Sequence, residues 1–563
     1  MPFVSNNPKH YVMEKTLKKL HIIFLLILSA VCIPIVPAQE ALKSTEEEYY
    51  DFLALQGLTE RPYLNYRTLS DSVWNIAPDT EHPWKNQNLG LKRSLTDKIF
   101  LKIYGPELFN SVNTAAPYGQ NDGALWQGKG YNASLTGGAR LEMYGVELTF
   151  KPQLSFSQNA AFDIMKPEKS GPDYAGKGDT YGYFWGNVDA PQRFGDAPFF
   201  TYDWGDSEIR YTWKTLTVGF GTQAVWLGPS YLNSILHSNN APTYPKFDIG
   251  LRKQRIVIPK VNWYWGDVEA RLWVGYLSES DFFDNDGSNN HNMFHGFSFA
   301  YSPPGVLSGL TLFLNRVCLV PWEWENLKYI ISLGNTIEDQ KASFGVSWDF
   351  PQVGLEVFGE LGIDDFVGGG FPLGYIRYPF HTMAYTVGLK KTVTIKAERA
   401  IYGMILFEWN SLEMSQDFQY MWPYSFYFHH QNTQGYTNRG QWLGEGSGWG
   451  GNSQYLEFKL YYPKGTSSLF IHRNNPDNNY FYSKTIEEKA SETGHGANYF
   501  WSWKANLVIG LSTEYFVTSS LILGGGFAYN FIMNPSYYSY KTDVGKDEYM
   551  HNFSLQLKIK YQF

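Results

Sequence analysis

The last twelve residues of the chain alternate strictly between apolar and polar. Phe553, Leu555, Leu557, Ile559, Tyr561 and Phe563 share one parity, and Asn552, Ser554, Gln556, Lys558, Lys560 and Gln562 share the other. A period of two places these sets on opposite faces of one β-strand. The pattern recurs inside the chain. Val146, Leu148, Phe150, Leu154 and Phe156 alternate with Glu147, Thr149, Lys151, Gln153 and Ser155, and Ile209, Tyr211 and Trp213 alternate with Arg210, Thr212 and Lys214. Turn signals join pairs of these runs at Tyr144-Gly145, Trp265-Gly266-Asp267, Pro303-Pro304-Gly305, Pro351-Gln352 and Pro463-Lys464-Gly465.

The pattern predicts strands over 98–104, 134–143, 146–156, 207–213, 216–223, 255–264, 268–278, 294–301, 307–315, 341–349, 353–361, 379–389, 392–400, 453–462, 466–473, 501–515, 519–531 and 552–563. That makes 18 strands, an even number, as a single-chain outer-membrane barrel requires. Long stretches separate the hairpins, at 105–133, 157–206, 224–254, 279–293, 316–340, 362–378, 401–452, 474–500 and 532–551. With Phe563 at the periplasmic end, every long stretch falls outside the cell and every tight turn falls in the periplasm. The expected fold is all-β, a transmembrane antiparallel barrel over 98–563. A short periplasmic helical or irregular segment over 39–97 precedes it. Ser44-Thr45-Glu46-Glu47-Glu48 opens that segment as a capping box, and the amphipathic run Tyr49 to Leu55 stops at Gly57.

Composition leaves a large soluble β protein or a membrane β-barrel, and the strand that ends on Phe563 favours the barrel. Aromatics reach 18% while charged residues are only 18% and hydrophobic residues 43%. A disordered chain lacks such apolar area. A helical membrane protein would show several long apolar runs, and only Leu20 to Val36 is one. Lys15, Lys18 and Lys19 precede it and Val36-Pro37-Ala38 follow, the layout of a signal peptide at 1–38 cut after Ala38. Met13 is an alternative start, and Cys32 is a poor lipobox cysteine because Val31 precedes it. Removing four Lys and one Glu with residues 1–38 takes the formal charge from −8 to −11. No basic excess points to nucleic acid. Cys318 is then the one remaining cysteine, so rigidity comes from barrel closure rather than from an internal disulfide.

Several segments also resemble a known family. Gly219-Phe220-Gly221-Thr222-Gln223 leads into Trp226-Leu227-Gly228-Pro229, then Ser238-Asn239-Asn240-Ala241, Pro242 and Pro245. This is similar to the G-x-Q … W-G-P-G … S-N-N-A stretch of the capsule-assembly (Wzi-type) outer-membrane proteins, with Leu227 in place of the second Trp or directly joined Gly and Ser230 in place of the last Gly. Asn110-Ser111, Pro117 to Ala124 and Trp126-Gln127-Gly128 resemble the opening of that family's barrel. Gly435-Tyr436-Thr437-Asn438-Arg439-Gly440, Leu443-Gly444 and Gly448 to Gly451 resemble its late loop. The resemblance spans about residues 45 to 563. It implies a monomeric outer-membrane barrel with a helical N-terminal segment that binds surface polysaccharide in the manner of a lectin. The terminal Phe563 also resembles the signal read by the barrel-insertion machinery.

The side chains permit such binding, because aromatic faces stack on sugar CH surfaces while Asn, Gln, Asp and Arg bond hydroxyls. Stretch 401–452 holds Trp409, Trp422, Tyr424, His429, His430, Tyr436, Asn438, Arg439, Trp442 and Trp449. Stretch 224–254 holds Trp226, Tyr231, Asn239, Asn240 and Tyr244. The expected ligand-binding residues are Trp226, Asn239, Asn240, Tyr436, Asn438, Arg439, Trp442 and Trp449. A bland alternative makes each Trp part of an aromatic girdle or loop packing, and Arg439 a lumen-wall ion pair.

Other motifs weigh little. Gly446-x-Gly448-x-x-Gly451 lacks a strand–turn–helix context. Asp284-Asn285-Asp286-Gly287 fails the EF-hand pattern at Phe282 and Met293. Asp364-Asp365 would point to opposite faces of a strand. His429-His430 has no metal-site partners, and no Gly-x-Ser-x-Gly elbow occurs. The expectation is a binding protein, not an enzyme, with no cofactor or metal. Its partners are surface polysaccharide, outer-membrane lipid and, during biogenesis, the insertion machinery. The rival reading is a porin or substrate-selective channel.

Overall fold

A computed structural model of the chain describes residues 44–90, 92–167, 177–184, 188–330, 338–364, 373–378, 381, 383–414, 426–429, 431–480, 503–535 and 549–563. The expected signal peptide, and Trp422, Tyr424 and His430, lie outside the described residues. Among these residues 18 antiparallel strands close into a barrel. They are β1 (Ile99–Asn113), β2 (Gly130–Met143), β3 (Val146–Phe150 continuing as Gln153–Ser157), β4 (Phe199–Asp203 continuing as Glu208–Trp213), β5 (Leu216–Gly221) and β6 (Lys246–Ile258). Next come β7 (Trp263–Ser278), β8 (His291–Ser302), β9 (Leu310–Pro321), β10 (Asp339–Phe350), β11 (Leu355–Asp364) and β12 (Met383–Lys396). The last six are β13 (Ile401–Ser411), β14 (Asn452–Tyr462), β15 (Gly465–Asn475), β16 (Ala505–Phe516), β17 (Leu521–Met533) and β18 (Tyr549–Tyr561). Each pairs with its neighbour in sequence, and β18 closes on β1 with Leu557 opposite Asn110. Among the described residues no helix is long and apolar enough to cross a membrane. Strands do the crossing.

The alternation has the predicted sense. On β18, Leu555 and Leu557 are 55% and 51% exposed on the outer face, while Asn552 and Lys560 are fully buried inside. An apolar outer band over a polar interior belongs in lipid, and the barrel is an outer-membrane barrel. Leu555→Arg, near the middle of β18, is therefore expected to cost about 2 kcal/mol of barrel stability in bilayers. Urea unfolding of liposome-reconstituted protein would show it, and an unchanged midpoint would contradict the lipid-facing assignment.

Several strand boundaries differ from the sequence expectation, and two turns move. The turn expected at Trp265-Gly266-Asp267 is a bulge inside β7, where pairing with β6 shifts register between Tyr264 and Gly266. The chain reverses instead at 259–262, where Pro259 lacks an N–H for the ladder and Asn262 takes φ 45°. The break expected at Lys390-Lys391 lies inside β12, and the turn falls at Ala397–Arg399. Two adjacent lysines look like a turn, but Lys390 points inward to Asp51 and Glu356 at 2.8 and 3.1 Å. Trp409, expected in an outer loop, consequently sits on β13 beside Tyr385. β1 also runs past its expected end at 104 to Asn113, and the loops shorten to 114–129 after β1, 222–245 after β5 and 412–451 after β13.

The N-terminal segment enters the barrel. Helix α1 (Thr45–Leu55) begins where the Ser44 hydroxyl accepts the Glu47 amide at 3.1 Å. Its Tyr49 stacks on Trp84 at 3.8 Å between ring centroids, and both pack against Tyr461 of β14 and Phe516 of β16. Beyond α1 the chain bonds to the inner wall. Arg61 reaches Asp51, Asp349 and Glu356 at 2.6–2.8 Å. Glu269 of β7 accepts the amides of Leu64, Asn65 and Tyr66 at 2.6–2.9 Å. Asp71 accepts Arg252 of β6 at 2.8 Å and Arg271 of β7 at 3.0 Å. Arg271 also meets Asp248, which meets Arg210 and through it Glu208. These charges are buried in pairs, the condition under which buried charge is tolerated.

Candidate functional site

Loop 222–245 and the described residues of loop 412–451 fold into the upper barrel and build an apolar core there. Val225, Leu227, Ile235, Leu236, Tyr427, Tyr436 and Leu443 pack against Trp273, Phe294 and Leu319 of the wall. Beside this core, facing β1 and β14–β18, a cavity of about 640 Å³ remains, within the ~300–1,000 Å³ usual for ligand sites.

Several loops line the cavity, among them 114–129, 222–245, 412–451 and the stretch after β3 that carries Phe162 and Tyr183. In loop 114–129, Gly128 lies so close to Trp126 that a Cβ would meet the indole at 2.3 Å, and the ring settles edge-on to Phe194. In loop 412–451, a hairpin pairs Thr437–Asn438 with Gln441–Trp442. Its two turn residues, Arg439 and Gly440, have φ of 50° and 81°, the positive angles of a tight two-residue hairpin. The turn delivers Gln441 and Trp442 to the cavity wall. Asn438 anchors the hairpin by donating to the Pro242 carbonyl at 2.9 Å and accepting the Ser278 amide at 3.0 Å. Asn240 ties the loops together, accepting the Asn121 amide at 3.2 Å and donating to the Trp442 carbonyl at 3.1 Å.

The lining combines aromatic faces with hydrogen-bonding amides. Trp126, Phe162, Tyr183 and Trp442 supply rings, and Gln120, Gln127, Asn240 and Gln441 supply amides. Asp122 is held by the Gln127 amide at 2.8 Å. Burial pushes its carboxyl up to about 7, against a partial lowering by that amide. The group can therefore donate as well as accept near neutrality.

Of the eight residues expected from sequence, Asn240 and Trp442 line this cavity and Asn239 lines a second one beneath it. The others lie elsewhere. Trp226 is buried against Leu69, Tyr104 and Ala224, with Arg67 over its ring. Tyr436 is buried in the loop core and donates to the Leu236 carbonyl at 2.6 Å. Trp449 packs with Phe428 and Tyr183. Asn438 shapes the hairpin, and Arg439 pairs with Asp203 at 3.3 Å. Trp126, Phe162, Tyr183 and Gln441 were not singled out. Trp126-Gln127-Gly128 is one of the family-like segments, so the ring is visible in the sequence, but that it lines one cavity with Trp442 is not.

No protein-family model matches this sequence, and no curated protein does. Solved structures do match. Wzi of Escherichia coli, described as an outer membrane protein involved in group 1 capsule assembly and a carbohydrate-binding β-barrel, aligns with a TM-score of 0.52 at 13% identity. The alignment covers 81% of this chain and 84% of that one. OccAB4 of Acinetobacter baumannii aligns at 0.37 and 8% identity over 83% and 99% of the two chains. OccK8 (OprE) of Pseudomonas aeruginosa aligns at 0.36 and 10% over 82% and 97%. Likeness at such identity concerns architecture alone, and by architecture this chain is an outer-membrane β-barrel with the fold of Wzi.

Proposed function

We propose that this protein holds surface polysaccharide, capsular or exopolysaccharide, at the outer face of the barrel, as a binding protein rather than an enzyme. One observation carries the reading. The cavity among the outer loops sets Trp126, Phe162, Tyr183 and Trp442 beside Gln120, Gln127, Asn240 and Gln441. Sugars present CH faces and hydroxyl edges, and rings with amides match both. The expectation of a polysaccharide partner and the carbohydrate-binding description of Wzi agree with it.

The porin reading needs an open lumen. Here the lower lumen holds the aromatic cluster of α1, and Arg252 of β6 and Arg271 of β7 are paired with Asp71. The test is titration of the purified barrel with the host's own surface polysaccharide. Saturable binding, competed by oligosaccharides cut from the same polymer, is expected. Absence of binding together with steady single-channel current in planar bilayers would replace this reading with the porin.

A further inference from the structure

The outer cavity does not end at the loops. Below it a second cavity of about 350 Å³ follows the inner wall toward α1, and Phe109, Gln120, Asp122, Tyr455, Phe470 and Gln556 border both. The wall here is low. Ser468 and Ser512 face inward with hydroxyls 2.9 Å apart, and Gly524 and Gly526 present no side chain. Aromatic surface adjoins this wall, with the rings of Tyr455 and Phe470 at 5.6 Å. Ion pairs close the floor. Lys459 meets Glu48 of α1 at 2.5 Å, and Glu514 accepts Lys558 at 2.8 Å and the Thr45 hydroxyl at 2.6 Å.

One side chain in this lower cavity has an unanswered demand. Asn239 is 1% exposed, yet neither its amide nitrogen nor its amide oxygen has a hydrogen-bond partner. Its backbone is already engaged, the carbonyl accepting the Gly123 amide at 2.8 Å. The neighbouring Asn121, also buried, leaves its amide oxygen unpartnered in the same cavity. A buried amide left unpaired is costly, so such a group normally answers to something. A donor and an acceptor side by side suit vicinal hydroxyls, which can both give and take a hydrogen bond.

We propose that the lower cavity is a second saccharide subsite, in which Asn239 and Asn121 bind the hydroxyls of a sugar unit continuing inward from the one in the outer cavity. This rests on the polysaccharide reading above and extends it. The polymer is then gripped by a chain end inserted along the β15–β17 wall, rather than only by a segment lying across the loops. The low wall of Ser468, Ser512, Gly524 and Gly526 provides the room, and the ion-paired floor at α1 sets the depth.

The test uses di- and hexasaccharides prepared by partial acid hydrolysis of the host's surface polysaccharide, titrated calorimetrically into the full-length purified barrel. Wild type should bind the hexasaccharide at least 10-fold more tightly than the disaccharide. Asn239→Leu should bind the hexasaccharide no better than wild type binds the disaccharide. The variant should also be at least as heat-resistant on a gel as wild type, because leucine removes an unpaired amide without disturbing the backbone bond. Ser512→Phe, which fills the cavity from the opposite wall, should give the same flat length dependence and guards against a folding defect in Asn239→Leu. If both variants keep the wild-type gain with length, the lower cavity holds only solvent and the proposal falls while the outer site stands. If wild type binds neither oligosaccharide, the polysaccharide reading falls and the subsite falls with it.

Discussion

Asp71→Ala is expected to loosen the N-terminal segment from the barrel wall and let ions through. The carboxylate is buried and accepts Arg252 at 2.8 Å and Arg271 at 3.0 Å. Removing it leaves two inward guanidiniums each short of one partner. Breaking a buried pair by deleting one side costs about 3–5 kcal/mol, because the orphaned charge stays out of water. The cost here is expected near the lower bound, since Arg252 keeps Glu147 at 2.7 Å and Arg271 keeps Asp248 at 2.8 Å. The penalty falls on the docked segment rather than on the barrel ladder, so the strands stay paired while the plug moves. Two measurements check this. Single-channel recording should show opening events absent from wild type, and limited proteolysis should cut within residues 56–91 first. Asp71→Asn, which keeps the shape and some hydrogen bonding, should fall between the two. A variant as silent and as protease-resistant as wild type would show that the α1 cluster and the Arg61 and Glu269 contacts hold the plug without Asp71.

The second large effect concerns the outer cavity. Trp126→Ala combined with Trp442→Ala is expected to abolish measurable polysaccharide binding. Buried aromatic anchors typically contribute about 2 kcal/mol or more each, and two together correspond to roughly 1,000-fold in affinity. Neither ring belongs to a barrel strand, so the folded form should keep its heat resistance. Trp226→Ala is the informative contrast. Its ring is 1% exposed beneath Arg67 and beside Leu69 of the N-terminal segment, so its loss should cost about 3–5 kcal/mol of stability as a core truncation. Binding per folded molecule should not change. If Trp226→Ala abolished binding and the double variant did not, the ligand would be held at the base of loop 222–245 instead.

The barrel was legible in the chain because one rule governs every strand. A membrane strand must show lipid one face and the lumen the other, and a period of two survives without any knowledge of neighbours. The 18 strands and the placement of long loops on one end followed from that rule, while the helix opened by Ser44 and Glu47 followed from its capping box. Where the reading slipped, an inward lysine was the cause. Lys390 is accommodated inside the strand by Asp51, 339 positions away, and by Glu356 of β11. A bulge at Gly266 imitated a turn for a similar reason, since the register shift exists only against β6.

The candidate site was less legible. The chain showed that the outer stretches are dense in Trp, Tyr, Asn and Gln, and that family-like segments lie within them. It could not show that Trp126 and Trp442, more than 300 positions apart, line one cavity, or that Trp226 and Tyr436 turn into the core. Local alternation is written residue by residue, so the sequence by itself determined the strand count, the lipid face and the end at which the loops lie. Which aromatic becomes a wall and which becomes filling depends on how loops of low local preference fold into a lumen. That choice belongs to packing and to hydrogen bonds between distant segments, such as Asn240 to Trp442 and Gln441 to Gly123, and only the tertiary structure decided it.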